Sequence, residues 1–139
     1  MPLSDVYLTV KLDAGIPAVQ TSAISIWAGN TLAMEVTAKG QDSELIDLTG
    51  RSLEYVLWSP DLRGTKKADL TIGHGITIDS DQVNARGQFT ILLPGSATSA
   101  LPIGTLYHEV VMGDGNGHYT TILYGNPTIQ ASGVSITTP

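Results

Sequence analysis

The chain has 139 residues, no cysteine and a formal net charge of −6. Its length predicts a single domain, the lack of cysteine excludes disulfides and thiolate metal sites, and the negative charge argues against nucleic-acid binding, which needs a basic surface. Only 14% of the residues are charged, against about 25% in an average soluble protein, and this suits a surface that meets other proteins.

The chain opens with residues 1–25, which we interpret as an N-terminal arm or extra strand ahead of the main domain. This segment has neither the basic start nor the long apolar core of a signal peptide, so we expect a soluble protein made without export. Apolar and polar residues alternate over residues 5–12, which predicts a strand. Its apolar positions are Val6, Leu8, Val10 and Leu12. The sequence Asp13-Ala-Gly-Ile-Pro17 is expected to end this strand, because proline cannot donate to a ladder.

Short alternating runs continue through residues 26–139, which we assign to one domain. They are rich in Val, Ile, Thr and aromatic residues and are bounded by Gly, Pro, Asn and Asp, so they predict strands. The predicted strands cover residues 22–28, 31–38, 52–58, 69–72, 76–79, 87–93, 104–112, 118–125 and 127–136. Only residues 96–101 look helical, and no apolar run approaches the roughly 18 residues of a membrane span. This number of short strands predicts an all-β fold, a β-sandwich.

The alternation also predicts which side chains fill the core. Paired strands place every second side chain on one face, and in a sandwich that face is buried against the other sheet. The residues expected there are Met34, Val36, Leu53, Leu57, Phe89, Ile91, Leu93, Leu106 and Val110.

The sequence Met112-Gly-Asp-Gly-Asn-Gly-His118 suggests a phosphate loop, a calcium loop or a turn. A phosphate loop needs a helix after its glycines, but the following residues alternate like a strand. A calcium loop of the EF-hand type needs a glutamate at its twelfth position, and counting from Asp114 that position is Gly125. We therefore predict a hairpin connection, in which Gly and Asn supply the positive φ angles of tight turns; a weak cation site is the remaining alternative.

Other chemical motifs are incomplete. His108-Glu109 begins like a zinc-protease HExxH motif, but Met112 stands where the second histidine is needed. His74, His108 and His118 are dispersed, and we expect each to lie in a turn or at the surface. The residues supply no catalytic constellation, so we expect no enzymatic activity, no cofactor and no metal.

Two charged pairs are assigned to connections between strands. Lys66 and Lys67 are expected in a solvated loop, and Asp79 and Asp81 in a turn, where aspartate caps backbone N–H groups. Neither pair therefore indicates a ligand site.

The two tryptophans, Trp27 and Trp58, are candidates for contact with another molecule. In a sandwich, such residues are more often core or interface anchors than a platform on which sugars stack. The N-terminal strand is another candidate, because an unpaired strand seeks a sheet edge. In a multi-copy assembly we expect that edge to belong to a neighbouring subunit; the alternative is an ordinary first strand of the same sandwich. The possible assembly contacts are Val6, Leu8, Val10, Trp27 and Trp58.

A succession of turn motifs from Trp27 to Thr128 resembles the immunoglobulin-like domains of tailed-phage virion proteins, in particular the N-terminal domain of the baseplate upper protein. Each motif is weakly specific alone, and the information lies in their order. In chain order they are Ala28-Gly-Asn-Thr-Leu32, Asp47-Leu-Thr-Gly50, Gly75-Ile-Thr-Ile78, Gly87-Gln-Phe-Thr90, Ala100-Leu-Pro-Ile-Gly-Thr-Leu-Tyr107 and Asp114-Gly-Asn-Gly117.

The resemblance implies an immunoglobulin-like β-sandwich and a structural, non-enzymatic role in a virion, with other virion proteins and further copies of the chain as partners. The chain departs from the baseplate protein in having residues 1–25 and in lacking its long C-terminal part. A position on the capsid, as a decoration or cement protein, or on the tail, neck or baseplate is therefore open. The alternative from another class is a carbohydrate-binding module for host adhesion, which would need exposed aromatic residues in a row on one sheet face.

Overall fold

The computed structural model describes residues 8–22, 24–58 and 66–131. Within these residues the chain forms twelve strands and one helical turn, so the prediction of an all-β fold is confirmed. In chain order the elements are β1 (Leu8–Gly15), β2 (Val19–Gln20), β3 (Ser25–Trp27), β4 (Leu32–Lys39), β5 (Ser52–Trp58), β6 (Lys66–Ile72), β7 (Gly75–Ile78), β8 (Gln88–Leu93), α1 (Gly95–Thr98), β9 (Gly104–Thr105), β10 (Tyr107–Gly113), β11 (Tyr119–Gly125) and β12 (Thr128–Gln130).

The strands form two sheets around one core. Nine strands pair in the order β1-β4-β8-β7-β6-β5-β10-β11-β2, and three pair in the order β3-β12-β9. The large sheet curls on itself, because β1 at one end contacts β11 and β2 at the other. The single helical turn, α1, is too short to span a bilayer, and the described residues contain no longer helix.

The predicted core is confirmed at every position. All nine residues named from the alternation are at most 2% exposed. They pack together with Ile26 and Ile129 of the small sheet, so the core lies between the inner face of the small sheet and the inside of the curled large sheet. Burial of this many large apolar side chains is the main stabilising contribution to such a fold.

The N-terminal strand differs from its prediction at its C-terminal end. It runs on to Gly15 instead of ending before Asp13, and it pairs in parallel with β4 of the same chain, from Leu8 beside Leu32 to Gly15 beside Lys39. Gly15 fits this position because a β-carbon there would approach the Lys39 carbonyl oxygen to 3.0 Å. The predicted residues 5–7 lie outside the described residues.

Other predicted strands also differ from the structure. The predicted strand 104–112 is divided into β9 and β10, which belong to different sheets. Lys66 and Lys67 begin strand β6, so their assignment to a loop was wrong. Strand β2 was not predicted, because two residues carry no alternation. Of the predicted strand 127–136, residues 128–130 form β12, and residues 132–136 lie outside the described residues.

The glycine-rich sequence after Met112 is a hairpin connection, as predicted. Strands β10 and β11 pair antiparallel on either side of it, and Gly115 and Gly117 have φ angles of 87° and 88°, which L side chains rarely adopt. The expectation that Asn116 also has a positive φ was wrong, because the two glycines supply both such angles in this turn. The Asp114 carboxylate accepts the backbone N–H groups of Asn116 and His118 at 2.7 and 3.2 Å. The carboxylate therefore shapes the turn, as aspartate commonly does.

Candidate assembly surface

Trp27 lies on an edge of the small sheet and is 45% exposed. Trp27 is the last residue of β3. The turn that follows it is held by hydrogen bonds to Thr98 of α1. The Thr98 hydroxyl accepts the Gly29 N–H at 3.0 Å and donates to the Asn30 carbonyl oxygen at 2.7 Å. These bonds fix the backbone that carries Trp27, so the exposed indole is held on a rigid element.

The second tryptophan, Trp58, ends β5 on the outer face of the large sheet. Val56, two residues earlier, is buried but does not belong to the core cluster, so side-chain alternation places both residues outside. Across the strand pair, Tyr107 lies beside Trp58, and Glu109 lies beside Val56. Val56 and Trp58 therefore place two apolar side chains on the outer face of β5, among the acidic residues Glu54 and Glu109.

A charged cluster borders Trp58. The Lys66 ammonium lies 5.6 Å from the centre of its ring, within the range of a cation–π interaction, and forms ion pairs with Asp69 at 3.2 Å and Glu54 at 3.8 Å. A hydrogen bond between the two carboxyl groups, together with burial, raises the pKa of Glu54, and the same bond lowers the pKa of Asp69. All three groups are partly exposed to solvent, so the ion pairs contribute little to stability.

The other predicted contact residues lie in the N-terminal strand. Val10 packs against the core, so its side chain serves the packing of its own domain. The backbone of Leu8 pairs with Leu32, and Val6 lies outside the described residues. The structure thus separates the predicted contacts into a strand that is paired within the chain and two tryptophans on different sheets.

The environment of His108 was also predicted wrongly. It is 1% exposed, whereas we expected a turn or surface histidine. Its ring lies between the Tyr55 hydroxyl, 2.8 Å from Nδ1, and the Thr21 hydroxyl, 3.2 Å from Nε2. The signal was present in the sequence, because His108 alternates in register with Leu106, Val110 and Met112, which are all buried.

Other ionisable residues in the described part of the chain shape turns. His118 pairs with Asp114 at 2.9 Å in the exposed hairpin, and Asp81 accepts the N–H groups of Val83 and Asn84 in the predicted turn. In the part of the chain that the structure describes, no three His, Cys, Asp or Glu side chains come together in a way that could hold a metal ion.

Two shallow grooves lie on the outside of the large sheet. The larger, about 560 Å³, crosses β1, β4, β8 and β7, and its lining includes Lys11, Glu35 and Asp79. The smaller, about 300 Å³, is lined in part by Leu53, Ile72, Val111 and Tyr119. Tyr119 is 70% exposed beside it, which extends the apolar character of the outer face.

Comparison with known proteins identifies the fold. No family model matches the sequence, and no curated protein is similar to it. Among solved structures, the chain is similar to the N-terminal domain of phage TP901-1 ORF48, with a TM-score of 0.61 and 6% sequence identity. The similarity covers 88% of this chain and 98% of that domain, so the two share one fold over nearly the whole of the phage domain.

Proposed function

We propose that the chain is a non-enzymatic structural protein of a tailed-bacteriophage virion, an immunoglobulin-like module bound in many copies to the capsid or to the tail, neck or baseplate. Its partners are other virion proteins and further copies of itself, with neither nucleic acid nor membrane among them. The fold shared with a phage domain supports this setting, and so does the succession of turn motifs in the sequence.

The exposure of Trp27 is the observation that supports the assembly role. Trp27 presents nearly half of its surface to solvent from an edge strand whose backbone is fixed by Thr98. Tryptophan is enriched among the residues that dominate binding energy at protein interfaces, and a rigid anchor loses little conformational entropy on binding. In a chain with few charges, such a residue is better suited to contact with protein than to solvent.

The carbohydrate-binding alternative receives less support from the same residues. A sugar platform needs aromatic side chains in a row on one face, but Trp27 lies in the small sheet and Trp58 in the large one. Trp58 is also only partly exposed and is covered on one side by Lys66. A glycan array probed with the purified protein tests this alternative, with Trp27→Ala as the control variant.

The virion role is tested in particles of the phage that encodes the chain. Particles are purified by density gradient, disrupted and separated into capsids and tails, and the chain is detected in each fraction with an antibody. We expect the chain in purified particles and in one of the two fractions. Its presence in infected cells together with its absence from purified particles would overturn the proposal.

A further inference from the structure

The two sheets differ in whether their edge strands contact each other. The edge strands of the large sheet, β1 and β2, contact each other, so the curl of this sheet brings its two edges together. The small sheet instead ends in β3 on one side and β9 on the other. Unpaired backbone groups along an edge strand are a template for pairing with another chain. Among the described strands, the edges of the small sheet are therefore the more open to strand addition.

Among the residues that the structure describes, strand β3 is paired on one side only. On the paired side, Thr128 N–H donates to the Ile24 carbonyl at 2.8 Å, and Ala28 N–H donates to the Gln130 carbonyl at 2.9 Å. Backbone groups alternate in direction along a strand, so those of Ser25 and Trp27 point to the other side. No described residue pairs with the Ser25 N–H, the Ser25 carbonyl or the Trp27 N–H.

The open side of β3 is complementary to itself. When two copies of β3 run antiparallel about a two-fold axis at Ile26, Ser25 of each copy lies opposite Trp27 of the other. Each such pair can exchange two N–H···O bonds. The Trp27 carbonyl already accepts the Asn30 N–H at 2.9 Å, but a carbonyl oxygen has a second lone pair. Two-fold pairing therefore satisfies every open backbone group of β3.

The side chains fit the same arrangement. Ser25 and Trp27 are both exposed, whereas Ile26 between them is buried. In the two-fold pair each indole lies opposite a serine, which is small enough to leave it room, and cross-strand pairs of this kind stabilise sheets. We propose that the β3 edge is a homotypic contact, through which two copies of the chain join their small sheets into one six-stranded sheet. The proposed multi-copy assembly gives this contact its biological setting.

Association of the purified full-length chain tests the contact without any phage particle. Sedimentation equilibrium at increasing protein concentration should show mass rising from one chain towards two. Trp27→Ser should weaken the dimer by at least about tenfold in Kd, as expected when a central aromatic anchor is removed. Ile103→Ser is the matched control, because Ile103 is 59% exposed beside the opposite edge strand, β9. A chain that stays monomeric throughout, or a dimer weakened equally by both variants, would overturn the proposal.

Cross-linking tests the register, since the chain has no cysteine of its own. Residues opposite each other in a hydrogen-bonded antiparallel pair have Cα atoms about 5.5 Å apart, within the roughly 4.4–6.8 Å that a disulfide spans. A mixture of Ser25→Cys and Trp27→Cys chains, oxidised with oxidised glutathione, should therefore form a mixed disulfide dimer. Each variant alone should not, and cross-linking of Ser25→Cys with itself as fast as in the mixture would contradict this register. A negative result in the sedimentation or the cross-linking experiment would not contradict the virion role, because particle fractionation tests that role independently.

Discussion

The Tyr55 hydroxyl lies 2.8 Å from Nδ1 of His108, inside a core that leaves His108 1% exposed and Tyr55 fully buried. The other ring nitrogen of His108 is 3.2 Å from the Thr21 hydroxyl, so one imidazole joins β5 and β10 to the segment that follows β2. Gly125 makes room for this contact, because a β-carbon there would collide with the Thr21 hydroxyl. The hydrogen bonds of His108 with Tyr55 and with Thr21 therefore hold the N-terminal segment against the centre of the large sheet.

This arrangement predicts a loss of stability in mild acid. Burial lowers the pKa of His108 to about 4, whereas an unfolded histidine has a pKa of about 6.5. Between these values the unfolded chain binds more protons, so the free energy of unfolding falls as the pH drops from about 6.5 to 4 and is unaffected by this group above that window. The loss between pH 7.5 and pH 4.5 should be about 2.5 kcal/mol, measured by urea unfolding at the two pH values.

The control for this prediction is His108→Gln, which keeps hydrogen-bonding groups at the site but does not titrate. Glu54 also changes its protonation in acid. Because its pKa is raised in the folded chain, its contribution to the free energy of unfolding is lost as the pH rises, which is opposite to the effect of His108. Both proteins contain Glu54, so the difference between their pH profiles isolates His108. Equal pH dependence in the two proteins would show that His108 is not the group responsible.

The core and the site differ in how far the sequence predicts them. Alternation reports which face of a strand is buried, and it correctly selected Phe89 and Ile91 from their spacing alone. It does not report which strands pair or in which direction, so the parallel pairing of β1 with β4 was not predicted. His108 was missed because its residue type was given more weight than its register, although burial of a polar ring needs only two correctly placed hydroxyl groups.

Phe89→Ala should destabilise the protein by about 3–5 kcal/mol, because it leaves a cavity in a close-packed core. Phe89 is 2% exposed and pairs across the sheet with Val36. Leu92→Ala on the same strand is the matched control, since Leu92 is 42% exposed, and its effect should stay within about 0.5 kcal/mol. Thermal melts of the two variants measure this difference. A melting temperature for Phe89→Ala within a few degrees of the parent would contradict the burial of this ring.

Calcium should not change the melting temperature. The Asp114 carboxylate already accepts two backbone N–H groups of the hairpin and faces His118, and the bond from Asn116 is the main cause of its lowered pKa. Thermal melts with millimolar calcium and with EDTA should therefore coincide. The test is sensitive, because a ligand at 100 times its dissociation constant stabilises by about 2.7 kcal/mol. An upward shift with calcium that Asp114→Asn abolishes would establish the weak cation site instead.

Deletion of residues 1–22 distinguishes the two interpretations of the N-terminal segment. An exchangeable arm would leave a folded domain that no longer assembles. The structure favours a different outcome, because the deletion removes β1 from its parallel pairing with β4, takes the buried Ala14 from the core and removes Thr21 from His108. We therefore expect a chain that is unfolded or strongly destabilised, as measured by circular dichroism and urea unfolding.

Thr21→Ala in the full-length chain is a milder variant for the same test. It should lower the free energy of unfolding by about 1–3 kcal/mol, because it leaves a buried ring nitrogen of His108 without its partner. A truncated chain with the parent's stability would instead show that β1 is dispensable to its own domain and free to pair with a neighbour.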